Sequence, residues 1–121
     1  RDFTYVLDLV QGLIKAAFYD DAIGKAFNLA AGKETKIKDM IEMVCKSTGN
    51  TTPITKFPPR KWDTKKRLLA SIELAGNLID YKPIVSFEDG LNENFKWFNN
   101  NWNEVQLSAD FPVGMSSAVR R

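Results

Sequence analysis

The chain has 121 residues, 44% of them hydrophobic and 26% charged, the balance of one ordinary globular core, which excludes extensive disorder. Lys and Arg number 17 against 15 Asp and Glu, a formal net charge of +2, so the chain is not built as a general binder of phosphate backbones. It contains no His and one Cys, which removes a His general base, Ser-His-Asp and Cys-His arrangements and nearly every zinc site, and leaves Cys45 without an internal disulfide partner, as suits a reducing, cytoplasmic setting.

Residues 1–6 are rich in β-branched and aromatic side chains and read as a short strand. Val6, Leu9, Val10, Leu13, Ile14 and Ala17 then fall at helical spacing, predicting an amphipathic helix over 7–18. Asp20, Asp21 and Gly24 mark a loop, and residues 26–29 read as a buried strand followed by Gly32. A second helix is expected after Thr35 as N-cap, with Ile37, Met40, Ile41 and Val44 on its apolar side and Gly49 ending it. Cys45 lies beside Ile41 and Val44 and reads as an inert, small hydrophobe.

Residues 53–57 form a third strand candidate with Pro53 at its start. The run Pro58-Pro59-Arg60-Lys61-Trp62-Asp63 follows; its prolines exclude a helix and stiffen the approach to Arg60. A third helix is expected over 71–78, weakened by Gly76. Ser86 and Asp89 resemble a capping box, and Phe87, Leu91, Phe95, Phe98 and Trp102 recur every three or four residues, predicting a long helix docked on a core. The pattern fades beyond Trp102, so the domain is expected to span 1–102 with an extended tail over 103–121. Alternating strands and helices give an α/β or α+β class, with about three short strands and three to four helices. A sheet that small leaves faces uncovered, and the chain is expected to be a piece of a longer protein.

The seven glycines lie too far apart for a GxGxxG or P-loop, and none of the three Tyr is followed by Lys four places on. No run of apolar residues approaches the roughly 20 needed to span a membrane. Two features stand out. Arg60 and Asp63 share the proline-stiffened loop, where a guanidinium fork suits a phosphate and a carboxylate suits the hydroxyls of a ribose; an ordinary surface ion pair is the other reading. Arg1-Asp2-Phe3 sets a cation beside an aromatic at the start of a strand, or is simply a frayed end.

Taken together, the segments resemble a known family. Arg1-Asp2-Phe3-Thr4-Tyr5-Val6 with Asp8-Leu9-Val10 and Gly12 is similar to the RDFTYV-x-D-V-x-x-G stretch of the extended short-chain dehydrogenase/reductases, the NAD-dependent nucleotide-sugar epimerases and dehydratases. Residues 27–32 (FNLAAG) resemble their FNLGSG, Pro59-Arg60-Lys61-Trp62-Asp63 their RRxGD, residues 78–83 (LIDYKP) their LLGYxP, and residues 86–91 (SFEDGL) with Trp97 their SLEEGLxxTxxW. The chain departs from the family at Trp62, Ala30 and Asp80, each in place of a Gly, and at Ser71 in place of an Asp.

The resemblance implies the C-terminal, substrate-binding part of such an enzyme, a small α+β domain whose absent Rossmann partner holds NAD(P) and performs hydride transfer. It implies that Arg1 and Arg60 contact the diphosphate of a nucleotide-sugar (UDP-, GDP- or dTDP-linked), that Asp63 contacts the ribose, and that Phe3 lines the sugar pocket. It implies no catalytic residue here, no cofactor bound by this part alone, no turnover by it alone, and a homodimer formed through the absent domain. Two readings from the residues stay open beside it. One is an RNA-binding loop built from Lys56, Arg60, Lys61, Lys65, Lys66 and Arg67 with Trp62 for stacking; the other is an oligomerisation module built on the aromatic helix over 86–102.

Overall fold

A computed structural model describes residues 1–61 and 64–108. Five α-helices follow in order: α1 (Val6–Phe18), α2 (Ile37–Thr48), α3 (Glu73–Ile79), α4 (Phe87–Asn100) and α5 (Trp102–Ser108), with one 3-10 turn at Asp20–Ala22. Among the described residues there is no sheet: the only β pairing is an isolated antiparallel bridge between Asp2 and Glu34. The expected α/β class is therefore corrected to a helical one. Of the three expected strands, residues 26–29 and 53–57 carry no ladder, and residues 1–6 contribute only that bridge.

The physical reason lies in two carboxylates. An extended segment must satisfy its backbone N–H groups, and a sheet ladder is only one way to do so. Here Asp2 accepts from the amides of Ala31 (3.0 Å), Gly32 (3.2 Å) and Ala70 (3.3 Å). Asp8, only 4% exposed at the inner face of α1, accepts from Ile84 (3.2 Å) and Val85 (3.0 Å). Side-chain oxygens thus stand where neighbouring strands would, and each segment is tied to the N-terminal stretch rather than to another strand.

The core lies between α1, the 3-10 turn and α3. Ala75 and Ile79 are fully buried and Tyr81 is 1% exposed, with Ala22 beside them and Phe27, Leu29 and Ile72 packed around. The Tyr81 hydroxyl donates to the Ala30 carbonyl at 3.1 Å, giving the buried ring its polar partner. Gly12 is needed for this packing: a Cβ there would lie 2.8 Å from Leu29 and 2.8 Å from the Tyr81 ring.

The inner face of α1 is not the expected aliphatic stripe. Asp8 and Gly12 point inward, whereas Val6, Leu7, Val10, Leu13 and Ile14 are 40–62% exposed. Elsewhere α2 packs on α4 without any fully buried residue in either helix. Phe87, Leu91 and Phe95 of the aromatic stripe are half-buried, while Phe98 and Trp102 are exposed.

Capping follows the sequence in part. Ser86 caps α4, accepting from the Asp89 amide at 3.0 Å and donating to the Asp89 carboxylate at 2.6 Å. Gly49 ends α2 in the left-handed conformation, φ 67°. Thr35 is not the cap of α2; the helix starts after Lys36, and Thr35 instead exchanges main-chain bonds with Arg1, each 2.8 Å. Helix α5 begins at Trp102 and runs through the first six residues of the segment expected to be an extended tail, and the remainder of that segment lies outside the described residues. Among the described residues, no helix is long and apolar enough to cross a membrane.

Candidate functional site

The Asp2–Glu34 bridge sets the site's frame. It holds the N-terminal stretch beside the segment leading into α2, and Asp2 reaches across to Ala70, so three pieces distant in sequence meet at Arg1, Phe3 and Glu34. The Arg1 guanidinium donates to the main-chain oxygen of Lys65 at 3.2 Å. This ties Arg1 to the segment that follows Arg60 in sequence. Arg60 is exposed on that loop, in the stretch 51–61 whose residues are all exposed. Asp63 and Trp62 lie outside the described residues.

Phe3 packs against the start of α4. Its ring meets Phe87, at the start of α4, with centroids 5.0 Å apart and planes inclined at 38°. The two rings line a cleft of about 460 Å³ whose other walls include Lys33, Glu34, Asp39, Met43 and Ser86. They also line a second cleft of about 310 Å³ that runs along Tyr5, Gly90 and Asn94. Volumes of this size suit a small-molecule ligand. Gly90 allows α4 to approach closely: a Cβ there would lie 3.0 Å from the Tyr5 ring.

Electrostatics around the frame centre on one ion pair. Arg67 grips Glu34 through Nε, 3.0 Å from each carboxylate oxygen, and through Nη2 at 2.5 Å. Hydrogen bonding to Arg67 holds the Glu34 carboxyl below its usual range, and the same contact raises Arg67. At the far end of the core, Asp80 is lowered by its hydrogen bond to Lys82, with Lys15 adding to the effect. Burial raises the Tyr81 phenol, with the charges of Asp8 and Asp2 in support; at neutral pH it is a hydrogen-bond donor and not a base. Among the described residues there is no group of His, Cys, Asp or Glu suited to a metal.

The frame thus holds Arg1 against Lys65 and Phe3 against Phe87. Sequence reasoning missed Glu34, Arg67 and Phe87 as parts of it. Phe87 is read in the sequence as a member of a core-facing stripe and of the SFEDGL motif, and the Glu34–Arg67 pair, 33 residues apart, leaves no local signature.

No family model matches the chain. A UDP-glucose 4-epimerase of Cyamopsis tetragonoloba is 33% identical over 105 residues, 84% of this chain and 29% of that protein. An epimerase of Methanothermobacter thermautotrophicus superimposes with a TM-score of 0.88 at 41% identity, over 92% of this chain and 33% of its own. The Bordetella bronchiseptica enzyme WbmF, solved with NAD+ and UDP, superimposes at 0.75 with 33% identity, over 88% of this chain and 32% of its own. The chain therefore spans about a third of the length of the relatives it matches. Five motifs in family order, a shared backbone and these identities make the chain a segment of the nucleotide-sugar epimerase/dehydratase family.

Proposed function

We propose that this segment is the C-terminal, substrate-binding part of an NAD(P)-dependent nucleotide-sugar epimerase/dehydratase, and that it grips a UDP-sugar while a Rossmann domain outside these residues transfers the hydride. Arg1 and Arg60 neutralise the diphosphate, Asp63 takes the ribose hydroxyls, and Phe3 with Phe87 walls the sugar. The observation that supports the reading is the bond from the Arg1 guanidinium to the Lys65 carbonyl, which ties the N-terminal stretch to the segment that follows Arg60. WbmF, whose structure holds NAD+ and UDP, supports the choice of nucleotide. The RNA-binding and oligomerisation readings draw no support from the relatives, which include several UDP-sugar epimerases.

The segment's role is binding and orientation. Interactions with the nucleotide, remote from the reacting carbon, fix the sugar against the coenzyme and convert binding energy into alignment. The exposed aliphatic face of α1 is the surface we assign to contact with the Rossmann domain, and we assign the homodimer to that domain and the protein to the cytoplasm.

Each charge-assisted contact is worth about 1.5–3 kcal/mol. Calorimetric titration of the intact protein with UDP is expected to show Arg1→Ala and Arg60→Ala each weakening binding by roughly tenfold to a hundredfold. Asp63→Ala, which removes the proposed ribose contact, is expected to weaken UDP as well. Equal UDP affinity in all three variants and the unaltered protein refutes the assignment.

A further inference from the structure

The loop bearing Arg60 is exposed along its described length and has no helix or strand of its own. A binding loop of that kind gains affinity when its bound geometry is fixed beforehand. Three contacts tie its C-terminal strap, residues 64–70, to the frame at intervals of two or three residues. They are the Lys65 carbonyl on Arg1, the Arg67 guanidinium on Glu34, and the Ala70 amide on Asp2. The middle contact is the only one made by two side chains, and it is bidentate: Arg67 is 76% exposed, but its carboxylate partner is 26% exposed and anchored on the bridge with Asp2. The fork-on-carboxylate geometry sets direction as well as distance.

We infer that Glu34 and Arg67 are positioning residues, a clamp that fixes the strap so that the loop presents Arg60 beside Arg1 to a nucleotide diphosphate. The inference rests on the nucleotide-binding reading above and adds two residues to it. Arg67 does its work through Glu34 and not by touching the nucleotide. The mutual displacement of the Glu34 and Arg67 protonation equilibria, each caused first by the other, agrees with a pair that persists across neutral pH.

The test uses the intact protein with UDP as the probe, and follows hydrogen exchange at the Ala70 amide, which donates to Asp2, alongside UDP affinity. Arg67→Ala and Glu34→Gln are each expected to speed that exchange and to weaken UDP about threefold to fivefold, as for an exposed but well-formed pair. The exchanged pair, Glu34→Arg with Arg67→Glu, is expected to restore both readouts; a residue of merely structural importance would not be rescued in affinity by reversing the charges. Unchanged exchange and affinity in both single variants overturns the clamp. Loss of affinity in Arg67→Ala but not in Glu34→Gln overturns it too, since Arg67 would then contact the nucleotide itself. Absence of UDP binding by the unaltered protein overturns the nucleotide reading and the positioning role with it, while the exchange arm separately reports whether the pair holds the strap.

Discussion

The two ends of the molecule are held together by different means. At one end α1, the 3-10 turn and α3 close on Tyr81 and Ile79, with no measurable exposure of Ile79 and a buried carboxylate tying the next segment down. At the other, α2 and α4 pack through half-buried side chains, no residue of either helix is fully buried, and the clefts open between them and the N-terminal stretch. The difference separates stability from adaptability. A closed core supplies free energy, and a loosely packed pair beside a cleft leaves room for a ligand and for small movements around it.

The contrast is breakable by substitution. Ile79→Ala is expected to cost about 3 kcal/mol, read from the denaturation midpoint, whereas Phe95→Ala, at a half-buried position of α4, is expected to cost clearly less despite the larger deletion. Equal losses would mean that the α2–α4 pair is as well packed as the other end. Asp8→Asn keeps the shape but loses the charge that receives two amides, and about 2 kcal/mol is the expected loss. It should also raise hydrogen exchange at Ile84 and Val85 more than in α2. Ser86→Ala removes the α4 cap and is expected to cost about 1 kcal/mol, with fraying confined to the first turn of α4 by hydrogen exchange.

The smallest expected effect is electrostatic. The Glu34 and Asp80 carboxyls are both lowered by their cationic partners. Their folded forms hold the proton less tightly than the unfolded chain, so the stabilisation is present above the unfolded values and fades as pH falls below about 4. Both pairs are solvent-screened, so the loss is small. Acid titration of Glu34→Gln should show a shallower decline than the unaltered protein, and an identical decline would remove Glu34 from the account.

Much of the helical content was legible because it is local. The capping box at Ser86 and Asp89, the left-handed Gly49 and the spacing of α1, α2 and α4 all depend on residues within a few positions of one another. What failed was the inference from extended composition to a sheet. Residues 1–6 have strand-like side chains and an extended course, but the partners of that course are chosen by Asp2 and Asp8, whose acceptors lie 29 to 77 residues from the amides they receive. The inward face of α1 failed for the same reason: periodicity marks an apolar face without saying which neighbour it meets, and here Gly12 had to face Tyr81. Within the proposed site, Arg1, Phe3 and Arg60 are candidates from the family motifs, whereas the Glu34–Arg67 pair depends on the register of a single bridge.

The residue after α3 carries one more consequence. Asp80 stands where the family often has Gly, and it adopts φ 48°, a region that side chains other than those of Asn, Asp and Gly seldom enter. Lys15 donates to its carbonyl at 2.6 Å and Lys82 meets its carboxylate at 3.0 Å. A glycine there would reach the same bend with a wider choice of denatured conformations to surrender. The aspartate narrows that choice beforehand, so the turn that delivers Tyr81 into the core is set as much by what the unfolded chain is denied as by what the folded chain gains.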